Sequence, residues 1–190
     1  MAKLVVSEFV TVDGYMEDPG GAEKSARGGW AFQFNRGDEG DRFKLDEVLA
    51  AEALLLGRHT YEGFAAAWPA RPEGDFANKM NDMPKYVVSA SLDKADWNNS
   101  TILRGDPATE AADLKQNISG DLLVYGSATL VGALAANDLV DEYRLMIFPT
   151  LLGQGRRLFT DSPAALGLRL TSARPVGDDG VVVLTYEPRH

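Results

Sequence analysis

Two segments of the chain repeat one arrangement, in which an apolar strand leads through a single glycine into a helix. One runs from Ala53 to Tyr61 with its glycine at Gly57, and the other runs from Leu122 to Leu130 with its glycine at Gly126. Glycine lets a ligand approach the backbone closely, and a helix start offers free N–H groups and the positive end of a dipole. Such helix starts favour an anion, typically a phosphate. Two of them in one small chain predict a ligand with two separated phosphate groups, as in a dinucleotide.

The composition of the chain excludes or disfavours several classes of function. The 190 residues suit one domain, 1–190, and the net charge of −9 disfavours general binding to nucleic acid or anionic membranes, because both need a positive field. The absence of cysteine excludes disulfides and thiolate zinc sites, and His59 and His190 alone are too few for a multi-histidine metal centre. No stretch approaches the ~18 apolar residues of a membrane span, and the N-terminus lacks a signal-peptide pattern. A soluble cytoplasmic protein is therefore expected.

Strands and helices alternate along most of the chain, which predicts an α/β fold with a mainly parallel sheet. The predicted strands are Lys3–Val10, Ala53–Leu56, Lys85–Ser89, Thr101–Leu103, Leu122–Tyr125, Glu142–Phe148, Leu168–Pro175 and Val181–Tyr186. The predicted helices are one that begins near Phe43, then Thr60–Ala67, Phe76–Met80, Pro107–Gln116 and Ala128–Ala136. The last two strands flank Gly177 to Gly180 and predict a hairpin, which gives the sheet an antiparallel edge. The segment Glu17–Gly40 is predicted to be a long loop that covers a site.

Arg58 is the most specific charged residue near the first glycine turn. A cation at a helix start is mildly unfavourable, by ~0.3–1 kcal/mol, so an arginine there is explained if it meets a phosphate through a charge-assisted contact. The alternative is a solvated surface arginine. Thr60 either caps the helix or donates to the same phosphate. His59 is expected to be an exposed neighbour and a minor contact.

Serines follow the strand that ends near Val88. A nucleotide-binding domain that prefers the unphosphorylated cofactor places an acid at such a position, for the ribose 2′-hydroxyl. Here Ser89, Ala90 and Ser91 stand there, and Arg58 is available on a neighbouring strand end, which favours the 2′-phosphorylated cofactor NADPH. The alternative is that the serines only form a turn. The second glycine turn lacks the full G-x-G-x-x-G pattern, so it is informative only together with the first.

Carboxylates are the candidates for proton chemistry. Acids at a helix start usually complement the helix dipole or cap the helix. The functional alternative is a partly buried acid that orients a nitrogen heterocycle, between aromatic walls that are otherwise core residues. The acids expected before the helix are Asp38, Glu39 and Asp41, those within it are Asp46 and Glu47, and the aromatic residues are Trp30, Phe34, Phe64, Trp68 and Phe148.

Four segments together resemble a known family. They are Phe9–Tyr15, Leu55–Tyr61, Val124–Ser127, and the stretch from Val140–Glu142 through Pro149–Gly155. They span nearly the whole chain and are similar to the dihydrofolate reductase-like proteins. The last segment, with proline, two leucines and G-x-G after a strand, resembles the branch typified by the C-terminal reductase domain of bifunctional riboflavin-pathway enzymes.

The resemblance implies a three-layer α-β-α fold, with a mainly parallel sheet of about eight strands that binds NADPH along its strand ends. By position, the first glycine turn and the serines would hold the adenosine-side phosphate, the second turn the pyrophosphate, and the segment after the first strand would approach the nicotinamide. The implied cofactor-binding residues are Thr11, Val12, Asp13, Gly14, Gly57, Arg58, His59, Thr60, Ser89, Ala90, Ser91, Tyr125, Gly126, Ser127, Ala128, Thr129 and Leu130. The family also implies a homodimer.

Dihydrofolate reductases carry an acid on the helix before the first glycine turn, where it engages the pterin. Counting back from the first glycine turn places Asp41 near that position, and Asp38 and Glu39 are the alternatives. The leading hypothesis is an NADPH-dependent reductase of a pyrimidine or pterin-like substrate, similar to 5-amino-6-(5-phosphoribosylamino)uracil reductase or dihydrofolate reductase. The alternatives are a non-catalytic nucleotide-binding homodimer and a structural dimer whose glycine turns are only tight connections. An acid that faces the cleft separates the enzyme from the binding protein, and the binding protein is favoured if Asp38, Glu39 and Asp41 all point to solvent.

Overall fold

The structure, a computed structural model, describes residues 2–160 and 165–189. One sheet of eight strands runs through this part of the chain, in the spatial order β4-β3-β2-β5-β1-β6-β8-β7. The strands are β1 (Leu4–Thr11), β2 (Ala51–Gly57), β3 (Lys85–Val88), β4 (Ser100–Leu103), β5 (Asp121–Val124), β6 (Glu142–Phe148), β7 (Leu168–Val176) and β8 (Val181–Pro188). Strands β1 to β6 pair in parallel, whereas β8 pairs antiparallel with both β6 and β7. The predicted sheet with an antiparallel C-terminal hairpin is confirmed.

Helices cover both faces of the sheet, as the three-layer expectation requires. They are α1 (Gly37–Ala50), α2 (Arg58–Ala67), α3 (Asp75–Asp82), α4 (Pro107–Asn117) and α5 (Ala128–Ala136). On one face, Ala111 of α4 and Leu134 of α5 pack against Val6 and Leu55 of the central strands. On the other face, Val48 of α1 and Met80 of α3 pack against alternate residues of the same strands, such as Val5 and Leu54. The period of two along each strand therefore divides one sheet between two apolar cores.

The order of the strands decides where a ligand can bind. From β2 the chain moves outward through β3 to β4, returns to β5 between β2 and β1, and then crosses to β6 on the far side of β1. In open α/β sheets, ligands bind at the carboxyl ends of the strands near such a reversal. The fold therefore predicts a ligand site at the carboxyl ends of β2, β5 and β1.

Two predicted boundaries are wrong, and both lie in the segment before β2. A 3₁₀ helix, Trp30–Gln33, occurs inside the predicted loop, where Trp30 is buried and its indole N–H donates to the carbonyl of Glu17 (2.8 Å). Helix α1 begins at Gly37 and not near Phe43, so Asp38 and Glu39 lie in its first turn. Acids in the first turn complement the helix dipole, which explains the longer helix. No helix in the described ranges is long and apolar enough to cross a membrane.

Candidate functional site

The four groups of predicted cofactor residues lie at the carboxyl ends of four adjacent parallel strands. Along the sheet edge they follow the order β3, β2, β5, β1, which brings Ser89–Ser91, Gly57–Thr60, Tyr125–Leu130 and Thr11–Gly14 side by side. Neighbouring strands are about 4.8 Å apart, so the four ends span roughly 14 Å. Segments that are more than a hundred residues apart in sequence thus form one continuous edge.

The two glycine turns are in direct contact. The amide of Gly57 donates to the carbonyl of Gly126 (3.0 Å), and the peptide bond between Gly126 and Ser127 is cis. A Cβ at position 57 would lie 2.4 Å from the hydroxyl of Ser127 and 3.0 Å from its backbone nitrogen. Only glycine fits there without displacing the second turn. The turns are therefore adjacent parts of a single surface.

Helices α2 and α5 begin at this surface without side-chain caps. In the described chain, no side chain bonds to the first turn of either helix from the N-cap positions Gly57 and Ser127. Gly126 has a φ of 96°, in the region that favours glycine, and a Cβ there would lie 3.0 Å from Oγ1 of Thr60. The first N–H groups of both helices are therefore free of side-chain caps. The space beside them stays open because Gly126 has no side chain.

Arg58 and the serines make local contacts. The Arg58 guanidinium donates to both oxygens of Glu62 (3.2 and 3.3 Å), one turn further along α2, and lies 3.3 Å from the imidazole of His59. Exposed pairs of this kind are worth ~0–1 kcal/mol, so Arg58 can exchange Glu62 for a stronger anion. The Ser89 hydroxyl accepts from the amides of Ser91 (3.2 Å) and Leu92 (2.9 Å), so Ser89 forms the turn that was its alternative interpretation.

The segment after β1 is tied to the loop that follows β6. The Asp13 carboxylate accepts from the hydroxyl of Thr11 (2.6 Å) and from the amides of Leu152 (3.2 Å) and Gly153 (2.8 Å). Desolvation alone would raise the pKa of Asp13, but these hydrogen bonds outweigh it and lower the pKa below its ordinary value. Asp13 therefore joins two of the segments that carry the family resemblance.

Asp13→Asn is expected to weaken the dependence of stability on acid pH. A carboxyl whose folded-state pKa is lowered contributes stability above its unfolded pKa, which is 3.8 for Asp13, and loses that contribution as the pH falls through the folded value. The native protein should therefore lose more unfolding free energy than Asp13→Asn between pH 5 and pH 3. Urea unfolding at both pH values measures this difference. Equal losses for the two proteins would contradict a structural role for the Asp13 bonds.

A cleft of about 830 Å³ opens beside these strand ends. Residues of β1, α1, α2 and α3 line it, together with the segment between Met16 and Phe32. Among the predicted aromatic walls, Phe64 and Trp68 line the cleft, whereas Trp30 and Phe148 pack edge to face in the core with ring centres 5.4 Å apart. Trp68 also stacks on Phe76 with an interplanar angle of 3°. The cleft thus combines flat aromatic walls with polar groups, as a heterocycle-binding site requires.

A largely buried polar cluster lies at and beneath the floor of the cleft, where β1, α1 and the end of β5 meet. We define it as Ser7, Lys44, Glu47 and Tyr125. The Ser7 hydroxyl is 2.9 Å from both Glu47 carboxylate oxygens and from the Lys44 ammonium, and the Tyr125 hydroxyl donates to Glu47 (2.7 Å). Lys44 is ion-paired with Glu47 and lies 4.3 Å from the centre of the Tyr125 ring. All these charged groups are satisfied by one another, as burial requires.

Glu8 stands next to this cluster and is not satisfied. It is only 6% exposed, lines the cleft, and has one carboxylate oxygen, Oε1, without a hydrogen-bond partner in the part of the chain that the structure describes. Burial raises the pKa of Glu8 well above its usual value, an effect that Lys44 opposes and Glu47 increases. Burial likewise lowers the pKa of Lys44, and burial with Glu47 raises that of Tyr125. Titratable groups with shifted pKa values that lie together in a cleft indicate a functional site.

The chain matches a known protein family. A family model described as the RibD C-terminal domain matches residues 2–182. The chain belongs to the RibD C-terminal domain family. YyaP of Bacillus subtilis (strain 168) is 26% identical to it over 188 residues, which cover 97% of this chain and 94% of YyaP.

Two solved structures share the fold of this RibD C-terminal domain. A Shewanella sp. PV-4 protein described as a riboflavin biosynthesis protein superposes with a TM-score of 0.76 at 21% identity, covering 99% of each chain. Dihydrofolate reductase from Enterococcus faecalis, complexed with NADP(H), superposes with a TM-score of 0.64 at 14% identity, covering 99% of this chain and 97% of the other. The dihydrofolate reductase-like fold is therefore confirmed, and the family indicates a reductase of a heterocyclic compound.

The acids predicted from the sequence lie at the mouth of the cleft in this RibD C-terminal domain. Asp38, Glu39 and Asp41 are all exposed, although Asp38 and Asp41 still line the cleft. The Asp41 side chain is 66% exposed and accepts from the Arg36 guanidinium (2.6 Å). The buried acids at or beneath the cleft are instead Glu8, Asp18 and Glu47. Sequence reasoning named Glu47 only as one of the acids within the helix and did not single out Glu8, although a charged residue inside an otherwise apolar strand was a signal for Glu8.

Proposed function

We propose that this RibD C-terminal domain is an NADPH-dependent reductase, which transfers a hydride to a small nitrogen heterocycle of pyrimidine or pterin type. The observation that carries the proposal is the meeting of four strand ends at one sheet edge, with the two glycine turns in contact beside an aromatic cleft. Uncapped helix starts favour phosphates, and the aromatic walls with buried polar groups suit a planar heterocycle. The sequence-predicted residues keep their proposed cofactor roles on this basis.

The residues present fit a dinucleotide. The second turn has the positive φ of Gly126 and space that a Cβ would fill, which suits a close approach of pyrophosphate to the backbone. When bound, the reduced nicotinamide supplies the hydride, and the protein supplies orientation and electrostatics. In the proposed mechanism, the amides at the starts of α2 and α5 bind the phosphates, and the segment Thr11–Gly14 positions the nicotinamide at the cleft. Phe64 and Trp68 exclude water from the substrate.

Arg58→Ala is expected to weaken NADPH binding by about tenfold or more and to change NADH binding by less than about threefold. The reason is that a charge-assisted contact to the 2′-phosphate contributes ~1.5–3 kcal/mol, and NADH lacks that phosphate. Titration followed by the fluorescence of Trp30, Trp68 and Trp97 measures both affinities. Arg169→Ala is the matched control, because Arg169 also pairs with a glutamate, Glu187, but lies on the remote strand β7. Equal losses for both cofactors would show that Arg58 does not read the 2′-phosphate.

Activity is tested by the absorbance of NADPH at 340 nm in the presence of 5-amino-6-(5-phosphoribosylamino)uracil or dihydrofolate. Oxidation of NADPH that depends on one of these heterocycles is the expected result. A protein that does not bind NADPH at millimolar concentration is not a reductase of this kind. The exposure of Asp38, Glu39 and Asp41 would by itself favour the alternative, a non-catalytic nucleotide-binding protein. Glu8 disfavours that alternative, because it is an acid that faces the cleft.

Asp41, predicted as the acid that engages the heterocycle, is exposed at the mouth of the cleft, and there it and Arg36 would orient a substrate as it enters. The homodimer and the cytoplasmic location implied at the sequence level stay predictions. For a dimer, the edge strand β7 with its exposed Leu170 is the first surface to test, because unpaired strand edges invite association.

A further inference from the structure

One oxygen of the Glu8 carboxyl group, Oε1, is buried and accepts no hydrogen bond from the residues that the structure describes. Glu8 lies on β1, three residues before Thr11, so it is close to the segment proposed to position the nicotinamide. This Oε1 atom lies 3.5 Å from the point that a Cβ of Gly126 would occupy. Leaving a buried carboxyl oxygen unpaired is costly, so such a group is retained where a ligand satisfies it.

The surroundings of Glu8 are those of a proton donor. The charges of Lys44 and Glu47, both on α1, act on Glu8. Tyr125 follows the end of β5, and its pKa is influenced by Glu8 in turn. Thr60 of α2 lies beside the same Gly126, and the residue paired with Glu8 on β6 is the apolar Leu145. Burial and the negative charge of Glu47 raise the pKa of Glu8, and the positive charge of Lys44 lowers it, so Lys44 stabilises the carboxylate once the proton has left. A group held in this balance can both donate a proton and recover one.

We propose that Glu8 is a catalytic acid of this domain, which gives its proton to the nitrogen or oxygen of the substrate double bond whose carbon receives the hydride. The C=N or C=O double bond is reduced, the hydride forms the new C–H bond, and the proton from Glu8 forms the new N–H or O–H bond. NADPH is oxidised to NADP⁺, and Glu8 is left as a carboxylate that takes its next proton from water. The inference rests on the proposed reductase function and assigns the proton donor within it.

Infrared spectroscopy of the full chain tests the protonation state independently of turnover. The difference spectrum between the native protein and Glu8→Gln should contain the C=O band of a protonated carboxyl at pH 7. Substitution of an ordinary exposed glutamate, which is ionised at that pH, should give no such band. Glu73→Gln provides the matched control, because Glu73 is exposed and lies outside the residues that line the cleft. Since glutamine resembles the neutral acid in shape and charge, Glu8→Gln should melt within a few degrees of the native protein. A Glu8 that is ionised at pH 7 overturns the inference.

Kinetics then test the role of the proton. With NADPH and 5-amino-6-(5-phosphoribosylamino)uracil or dihydrofolate, Glu8→Gln should lower kcat by about 100- to 10,000-fold, while KM and NADPH affinity change by only a few-fold. The native rate should fall as the pH rises above the pKa of Glu8, and the residual rate of Glu8→Gln should lack that dependence. The Glu73→Gln control should behave as the native protein does.

The outcomes separate the two proposals. If the native protein does not bind NADPH, the reductase function fails and the role of Glu8 fails with it. If NADPH binds and is oxidised, but Glu8→Gln retains its kcat and its pH profile, only the role of Glu8 is overturned. Binding of NADPH without reduction of either heterocycle counts against both proposals.

Discussion

The Lys44→Met variant is expected to lose about 3–5 kcal/mol of unfolding free energy, because it removes the close partner of a buried carboxylate and leaves only a more distant cation to compensate its charge. Lys44 is 6% exposed and Glu47 is 4% exposed, so neither reaches bulk water. After the substitution, the Glu47 carboxylate keeps the hydroxyls of Ser7 and Tyr125, and its nearest cation is Arg144 at 3.8 Å. Urea unfolding monitored by tryptophan fluorescence measures the loss.

The double variant Lys44→Met/Glu47→Gln distinguishes pairing from simple packing. The glutamine oxygen still accepts from Tyr125 but carries no charge, so the double variant should be less destabilised than the sum of the two single variants, by about 1–3 kcal/mol. Arg42→Met is the matched control, because Arg42 pairs with Asp46 on the exposed side of the same helix. It should change stability by less than about 1 kcal/mol. Strict additivity in the double variant would contradict the buried pair.

Gly57→Ala is expected to weaken NADPH binding by about 100-fold, since it separates the two glycine turns and so removes charge-assisted amide contacts worth ~1.5–3 kcal/mol each. A Cβ at this position would meet the hydroxyl and the backbone nitrogen of Ser127, so one turn must move. The φ of Gly57 is −77°, which any residue adopts, so the effect is steric and not conformational. Fluorescence titration with NADPH measures it.

Gly132→Ala makes the same chemical change in helix α5, at a position where a Cβ would meet nothing within 4 Å. It should leave NADPH binding unchanged and stabilise the helix by up to ~1 kcal/mol, because alanine is the better helix former. If Gly57→Ala bound NADPH as tightly as Gly132→Ala does, the contact between the two turns would have no part in cofactor binding.

The elements with strong periodicity were predictable from the sequence. Helix α5 has the predicted bounds, Ala128–Ala136, and the final hairpin lies on the predicted glycine turn. Single glycines between apolar strands and helices also located both turns of the candidate site. Local patterns were sufficient in these cases because the residues that decide each structure are neighbours in the sequence.

The floor of the cleft could not be predicted, because it depends on strand order and on contacts between distant segments. Nothing in the sequence near Glu8 indicates that β5 lies beside β1, or that Lys44 and Glu47 of α1 pack under the same strand end. The acids Asp38, Glu39 and Asp41 were singled out from their position before the first glycine turn, but all three are exposed on the first turns of α1. Tertiary contacts decided which acids are buried.

Amide chemical shifts of the ¹⁵N-labelled protein, measured while NADPH is added, test most directly whether four strand ends form one dinucleotide site. We expect the amides of residues 11–14, 57–60, 89–91 and 126–130 to shift together with a single dissociation constant. The amides of the remote strand β7 should stay in place. Shifts confined to one of the four segments, or found elsewhere on the protein, would show that the four strand ends do not form one dinucleotide site.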